Sequence, residues 1–407
     1  MSDTGLLFLA RGLRLFAYGF LSVVLVLYLA ALGLREGQIG LLLTLTLVGD
    51  TALSFWITTR ADGVGRRRML LAGAALMVAA GAVFASARSF VALLVAATIG
   101  VISPSGNAVG PFRAIELAAL AEEAPAERRT ALFAWYNLAG SFATALGALA
   151  SGGLVQLLQS RGWGALASYR AVVVGYAAAG VAMALLFVRL SSAVEPPPAQ
   201  RVRHSPAFLR PRLGLDRSRA SVLRLAGLFS VDAFAGGFVV QAFVAYWFHV
   251  RFGVAPAALG AIFFGANLLA GISALTATRL AARIGLLHTM VFTHIPSNLL
   301  LVLVPLMPSL PLAMAMLLAR FSISQMDVPT RQAYTMALVE PGERSAAAGV
   351  TGIARTLGAA LSPVVAGPLY ASAALASLPF FIAGGLKILY DLLVFRTFRR
   401  VTLPEGS

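Results

Sequence analysis

Residues 58–68 of the chain read TTRADGVGRRR, a charged stretch with two glycines between two long apolar runs. The runs cover about residues 38–59 and 69–87. Each is long enough to cross a hydrocarbon layer of ~30 Å as a helix. Short loops rich in arginine stay on the cytoplasmic side of a membrane. The pattern therefore predicts two membrane helices joined by a cytoplasmic turn.

Four residues of this loop are candidates for a conformational role. Gly65 would permit a tight turn, and Arg66 and Arg67 would hold the loop against anionic lipid. Asp62 would pair with a cation on a neighbouring helix in one conformation only. The alternative is an ordinary positive-inside loop without such a role.

Composition places the whole chain in the membrane. Of its 407 residues, 59% are hydrophobic and 12% are charged, whereas soluble domains have about 25% charged residues. The net charge of +16 lies mostly in short loops on one side, which reflects topology and predicts no nucleic-acid partner. The chain has no cysteine, which excludes disulfides and thiolate metal sites.

Twelve apolar runs are predicted to cross the bilayer. The arginines concentrate in the loops on one side, so both termini are predicted to be cytoplasmic. The runs, numbered 1 to 12, cover about residues 13–34, 38–59, 69–87, 90–112, 130–158, 170–188, 223–250, 257–279, 288–307, 312–336, 346–370 and 377–397.

A polar segment divides these runs into six and six. Residues 191–220 contain three consecutive prolines and a series of arginines, a composition typical of a linker. We therefore predict an N-terminal six-helix bundle at 1–190, a cytoplasmic linker at 191–220 and a C-terminal six-helix bundle at 221–407.

The two halves share short sequence matches. Residues 16–20 read FAYGF and residues 234–238 read FAGGF, 218 positions apart. The pair Pro111-x-Arg113 and Pro329-x-Arg331 has the same offset, and residues 280–285, LAARIG, are a degraded copy of the loop. Two homologous halves predict pseudo-symmetric bundles, an architecture of secondary transporters.

The loop resembles the signature G-x-L-A-D-R-x-G-R-R between helices 2 and 3 of the major facilitator superfamily. Ala61, Asp62, Gly65, Arg66 and Arg67 match the pattern, and the positions of Thr58, Arg60 and Gly63 depart from it. The resemblance implies an all-α fold of twelve transmembrane helices in two bundles, with runs 1, 4, 7 and 10 lining a central cavity. Gly358-x-x-x-Ser362-Pro363 in run 11 is similar to a pattern of the superfamily's drug–proton antiporters.

Run 10 carries a polar stripe in the membrane. Arg320, Ser324, Asp327 and Arg331 would share one face of a helix. An ionised group there costs about 2.5 to 3.5 kcal/mol, so each needs a partner or a wet cavity. The stripe predicts proton binding at Asp327 and substrate or gating contacts at the arginines. Alternatively, Asp327 and Arg331 neutralise each other and only hold the helix in place.

Arg113 of run 4 is the repeat equivalent of Arg331. Two arginines facing one cavity would bind an anionic substrate. Alternatively, Arg113 is a structural anchor that pairs with Glu116, Asp62 or lipid phosphate.

Runs 1 and 7 carry opposite charges at equivalent positions. Arg14 lies 218 residues before Asp232, which predicts a gating pair, although Arg14 would alternatively reach the interface. Asp232 is a candidate for proton binding. Tyr18 lies one turn after Arg14, and Gln241 would face the same cavity as Asp232 only if Gly236 and Gly237 bend run 7.

Other polar residues in the runs complete the candidates. Asp50 is predicted either as a proton site or as a neutral acid in a hydrogen bond, with Arg355 as its partner or as a substrate contact. Lys387 and Asp391, one turn apart, are expected to neutralise each other. Asn107 is a candidate hydrogen-bonding residue of the cavity. His294, near Pro296, is interpreted as repairing a kink.

Together these features predict proton-coupled secondary transport of a small organic molecule across the inner cell membrane. We expect a monomeric exporter; the alternative is an uptake symporter for an organic anion. A membrane enzyme or receptor is the third possibility, but no catalytic cluster, metal site, cofactor motif or nucleotide-binding loop is found in the sequence.

Overall fold

The computed structural model describes residues 2–108, 110–123, 126–195, 215 and 218–401. The first part of the described chain forms the helices α1 (Asp3–Ser22), α2 (Leu25–Ala31), α3 (Glu36–Val64), α4 (Arg66–Ser86), α5 (Phe90–Ile99), α6 (Phe112–Glu123), α7 (Ala126–Ser160) and α8 (Ala165–Val188). The second part forms α9 (Arg219–Gly237), α10 (Gln241–Phe252), α11 (Pro256–Ile284), α12 (Leu286–Leu303), α13 (Leu310–Phe321), α14 (Asp327–Leu338), α15 (Arg344–Tyr370) and α16 (Leu378–Phe398).

The helices match the predicted runs. Ten helical segments of the described chain are long and apolar enough to cross a membrane, and Phe90–Ile99 and Leu310–Phe321 are shorter apolar helices within runs 4 and 10. The prediction of an all-α polytopic membrane fold is confirmed.

The loop of residues 58–68 is shorter than its sequence suggests. Helix α3 continues to Val64 and α4 begins at Arg66, so the turn consists of Gly65 alone, with φ +116°. A residue with a side chain is strained at this φ, and glycine is not. Gly285 separates α11 from α12 in the same way, with φ +86°. The two halves therefore share this turn, as the repeat predicts.

Runs 1, 7 and 10 are each divided into two helices, and run 4 is helical over Phe90–Ile99, with α6 beginning at its last residue. Run 7 ends its first helix at Gly237 and resumes at Gln241, so the helix is interrupted directly after Gly236 and Gly237. Run 1 is interrupted at Val23 and Val24. Discontinuous helices of this kind are common at the binding sites of secondary transporters.

The prediction that four polar residues of run 10 share one helix face is wrong, because the helix is interrupted between Arg320 and Asp327. Helix α13 ends at Phe321 and α14 begins at Asp327, so Arg320 is not on the helix that carries Asp327 and Arg331. Asp327 lies in the first turn of α14, where a carboxylate is favoured by the helix dipole. This preference favours starting a new helix at Asp327.

The chain forms two compact units. The first contains Met1–His204 and Val240–Phe264, and the second contains Ser205–Val239 and Gly265–Ser407. Most of the predicted linker lies outside the described residues, so the domain boundaries drawn from the sequence remain a prediction.

Helices α9 and α15 pack closely in the second unit. A Cβ atom at Gly237 would overlap Ser362 and the backbone of Ala359, and one at Gly358 would overlap the backbone of Ser230. Small residues allow membrane helices to approach closely. This contact brings the middle of α15 against the middle of α9.

Candidate functional site

A buried carboxylate on α9 is surrounded by basic groups of the second unit. Asp232 is 2% exposed. Its Oδ1 lies 2.5 Å from Lys387 Nζ, and its Oδ2 lies 2.9 Å from an Nη1 atom of Arg355 and 3.2 Å from Nη1 of Arg331. All three basic groups donate hydrogen bonds to it. One carboxylate thus joins helices α9, α14, α15 and α16.

Two further carboxylates extend this network. Asp327 accepts a hydrogen bond of 2.7 Å from Arg331, one turn away on α14. Asp391 lies 2.9 Å from Nδ1 of His294, whose Nε2 is 3.9 Å from Asp232 Oδ1. We call these seven residues, Asp232, His294, Asp327, Arg331, Arg355, Lys387 and Asp391, the Asp232 cluster.

The charges of the Asp232 cluster balance when His294 is neutral. Three carboxylates face two arginines and one lysine, and six of the seven residues are nearly or fully buried. Arg355 is the exception, since 33% of its side chain is exposed. Buried ions require partners to offset their desolvation. The balance explains how helices α9, α12, α14, α15 and α16 hold ionised groups inside an apolar bundle.

Four residues predicted from the sequence meet in this cluster: Asp232, Asp327, Arg331 and Arg355. The pairing of Asp327 with Arg331, which the sequence left as the alternative, is present. Arg355 contacts Asp232 within the second unit, and Asp50 belongs to the first unit.

The expected pair between Lys387 and Asp391 is wrong. The ammonium group of Lys387 binds Asp232, and Asp391 accepts one hydrogen bond from Asn298 and contacts His294, both on α12. The long flexible stem of lysine lets its charge reach another helix. Spacing of one turn on α16 therefore does not decide which groups pair.

Arg14, predicted to form a gating pair with Asp232, has its partner within the first unit. Arg14 donates two hydrogen bonds of 2.6 Å to the two carboxylate oxygens of Glu116 on α6, and Tyr136 on α7 donates to the same carboxylate. A bidentate contact inside the first unit satisfies the guanidinium. Arg14 is fully buried, so it does not reach the membrane interface.

Three candidates lie near the interruptions of runs 1, 4 and 7. Tyr18 is fully buried and stacks on Tyr176, with ring centroids 6.5 Å apart. Gln241 begins α10, and its Nε2 donates to Ser22 Oγ at 2.8 Å. Asn107 is exposed between α5 and α6, where its carbonyl accepts a hydrogen bond from Ser103.

Three further charged candidates form none of the ion pairs found among the described residues. Asp50 has a buried Oδ1 with no hydrogen-bond partner among the described residues. Arg113 is exposed on α6, and Glu116, a proposed partner for it, is occupied by Arg14. Arg320 is partly buried, with its guanidinium 5.0 Å from the ring of Phe321.

Residues after and at the end of α8 accept hydrogen bonds from the residues that follow the turn at Gly65. Glu195 accepts hydrogen bonds from the backbone N–H groups of Arg66 and Arg67 at 2.8 and 3.2 Å. The side chain of Arg67 also donates to the carbonyl of Val188 at 2.6 Å. The side chain of Asp62 lies outside the described part, so its predicted role is untested.

Four residues of these networks were missed or misassigned from the sequence: Glu116, Glu195, His294 and Lys387. An ionisable residue inside a membrane run is a functional candidate by default, and this rule would have selected His294 and Lys387. Glu195 gave no signal, because it stands in a polar segment before the prolines.

Comparisons with known proteins show the family and the fold of the chain. A family model described as Major Facilitator Superfamily matches residues 7–363. An uncharacterized membrane protein of Saccharomyces cerevisiae is 32% identical over 419 residues, covering 96% of this chain and 93% of the yeast protein.

Two solved structures share the fold. A bacterial homolog of the human lysosomal transporter Spinster, inward-facing and occupied, is 16% identical with a TM-score of 0.74, covering 99% of this chain and 98% of that chain. A D-xylose-proton symporter is 16% identical with a TM-score of 0.69 and the same two coverages.

Repeated sets of membrane helices, interrupted runs and balanced ionised groups inside one bundle define a secondary transporter. The chain belongs to the Major Facilitator Superfamily. It is a multi-pass membrane transporter for a small molecule and not an enzyme.

Proposed function

We propose that this protein is a proton-coupled secondary transporter of a small organic molecule. It works by alternating access, as a monomer in the inner cell membrane, and Asp232 binds the proton. The observation that carries the proposal is the contact of one buried carboxylate with basic groups from three other helices.

Protonation of Asp232 changes how these helices are joined. The ionised carboxylate accepts charge-assisted hydrogen bonds from Lys387, Arg355 and Arg331, which are roughly twice as strong as neutral ones. A neutral carboxylic acid attracts these cations far less. Proton binding therefore weakens the links from α9 to α14, α15 and α16 together. A transporter needs an event of this kind to shift the balance between two conformations.

The sequence favoured export because of the pattern in run 11. In the second unit Gly358 and Ser362 of that pattern lie against α9, and close packing accounts for both small residues. Export therefore remains an untested prediction.

A specific observation supports the second candidate, an uptake symporter for an organic anion. Asp232 is surrounded by basic groups, so a cationic substrate would be repelled from its carboxylate. An anion would be attracted to the same basic groups when Asp232 is neutral. Proton and anion would then bind together, which is symport.

The test uses purified protein in liposomes that contain a pH-sensitive dye. Compounds from sugars, nucleosides and organic acids are screened for substrate-dependent proton flux under a pH gradient. Asp232→Asn should abolish accumulation driven by the gradient while leaving counterflow exchange. Glu340→Gln, at an exposed carboxylate of the same unit, is the control and should behave as the unaltered protein. Gradient-driven accumulation in the Asp232→Asn variant would refute the role of Asp232.

A further inference from the structure

The imidazole of His294 lies between two carboxylates of the second unit. His294 is buried on α12. Its Nδ1 is 2.9 Å from Oδ1 of Asp391 on α16, and its Nε2 is 3.9 Å from Oδ1 of Asp232 on α9. Asp391 also accepts a hydrogen bond from Asn298, one turn further along α12. Each ring nitrogen therefore has a carboxylate oxygen as its neighbour.

The contact with Asp391 decides which ring nitrogen carries the hydrogen. An ionised carboxylate only accepts hydrogen bonds, and the charges of the Asp232 cluster balance when Asp391 is ionised and His294 is neutral. The Nδ1 atom is therefore the donor to Asp391. In a neutral imidazole the other nitrogen is then an acceptor, so Nε2 presents a lone pair to the carboxylate of Asp232. Two acceptors 3.9 Å apart form no hydrogen bond and repel each other.

One added proton turns this repulsion into attraction. A proton on Nε2 makes this nitrogen a donor toward Asp232, and the imidazolium then has a carboxylate next to each nitrogen. An opposite charge within about 4–6 Å favours the charged form of a titratable group. Because 3.9 Å is longer than a hydrogen bond, the ring and the carboxylate would approach by about 1 Å to form one.

The basic groups of the Asp232 cluster oppose this proton. Two of them, Arg331 and Arg355, bind Oδ2 of Asp232, whereas His294 lies near Oδ1. Lys387 of α16 binds Oδ1 and is the cation that shares this oxygen with His294. Tyr390 of α16 lies with its ring centroid 6.0 Å from that of the imidazole. Helix α13 also packs against α12, but Arg320 of α13 forms no ion pair with the cluster among the described residues.

We infer that Nε2 of His294 binds a proton, so that the Asp232 cluster has a second proton site in which Asp391 orients the ring. The inference goes beyond the proposed function, because Asp232 keeps its negative charge when His294 is protonated. The new N–H group donates to Asp232 and links α12 to α9, a link that the neutral ring does not provide. Protonation of His294 thus strengthens the contacts of α9, whereas protonation of Asp232 weakens them.

The test measures the protonation of His294 by NMR of the full-length protein in lipid nanodiscs, with nitrogen-15 in its histidines. The chain has four histidines, and the signals lost in His294→Gln assign the ring. If that variant fails to fold, replacing His204, His249 and His288 one at a time assigns the ring by elimination. From about pH 8 to about pH 5, the range in which histidine titrates, Nε2 should change from a bare to a protonated nitrogen. Nδ1 should stay protonated throughout.

Substitutions of the two carboxylates test the geometry. Asp391→Asn and Asp232→Asn should each lower the ratio of protonated to neutral imidazole at a given pH by roughly tenfold or more, since each removes a neighbouring negative charge. Asp391→Glu keeps the charge and should restore most of the titration. His288, exposed on the same helix, is the internal control and should titrate alike in all of these variants.

Three results would overturn the inference. They are an Nε2 that stays bare down to about pH 5, a neutral ring that carries its hydrogen on Nε2 and not on Nδ1, and a titration that both asparagine variants leave unchanged. The proposed function is judged separately, by gradient-driven accumulation in the Asp232→Asn variant. If that variant still accumulates substrate while His294 titrates as described, the proton role of Asp232 fails and the second proton site stands.

Discussion

Arg14 and Glu116 form a bidentate ion pair with both side chains completely buried, and each of its two hydrogen bonds is 2.6 Å long. In the other unit the equivalent helices carry the reverse arrangement, in which Asp232 of run 7 accepts from Arg331 of run 10. The first unit thus has an ion pair between α1 and α6, the second unit has one between α9 and α14, and the charges of the two helices are exchanged.

Removing one partner of the pair between Arg14 and Glu116 should strongly destabilise the first unit. Arg14→Met leaves a buried carboxylate without its cation, which typically costs about 3–5 kcal/mol. The double variant with Glu116→Leu should recover most of this loss, because no charge is then left buried. Unfolding in detergent measures both. Arg113→Ala, at an exposed arginine of the same run, should change stability little.

The partner of Lys387 is tested by a double-mutant cycle. Lys387→Met should lower stability by about 1.5–3 kcal/mol, the value of a hydrogen bond to a charged group. Combining it with Asp232→Asn should cost less than the two single changes added together. Combining it with Asp391→Asn should show a smaller coupling, since Asp391 contacts His294 on α12 instead. A coupling energy with Asp391 and none with Asp232 would contradict the observed contacts.

Spacing along one helix predicted some charge pairs and not others. Asp327 and Arg331 pair because they lie one turn apart on the short helix α14. Lys387 and Asp391 have the same spacing, but Lys387 pairs with the carboxylate of Asp232 on α9. Asp391 contacts the imidazole of His294 on α12. Which helices pack together decides such cases, and a single sequence does not contain that information.

The fold was predictable because the length of each apolar run shows whether it can cross the bilayer, and the distribution of arginines between the loops shows on which side each loop lies. The interruption of run 7 was also predictable, since Gly236 and Gly237 mark it. That of run 10 was missed, although Pro329, two residues after Asp327, is typical of the first turn of a helix. The stripe assigned to Arg320 and Asp327 failed for this reason.

Two glycines of α15 should respond oppositely to alanine. Gly358→Ala would place a Cβ against the backbone of Ser230 and should destabilise the protein by about 1–3 kcal/mol through overpacking. At Gly352 no atom lies within 4 Å of the added Cβ, so alanine should stabilise the helix by up to about 1 kcal/mol. Thermal unfolding of both variants checks this difference. Equal effects at the two positions would mean that α9 does not approach α15 at Gly358.

Glu195 should hold the start of α4. Glu195→Gln weakens the acceptor for two backbone N–H groups at a helix N-terminus and should lower local stability by about 0.5–2 kcal/mol. Hydrogen–deuterium exchange at Arg66 and Arg67 should speed up accordingly. Asp62→Asn provides the comparison. If that variant exposes the same amides and Glu195→Gln does not, the signature carboxylate holds the turn instead.

Asp232 and Lys387 are 155 residues apart in the chain, and this separation matters while the protein is being made. The carboxylate is delivered to the bilayer with run 7, long before the ribosome has synthesised the amine in run 12. Until then the nascent C-terminal half lacks one of the cations that complete its neutral core. Assembly of this half is therefore a late event of biogenesis, and intermediates stalled before residue 387 should be preferred substrates for membrane quality-control proteases.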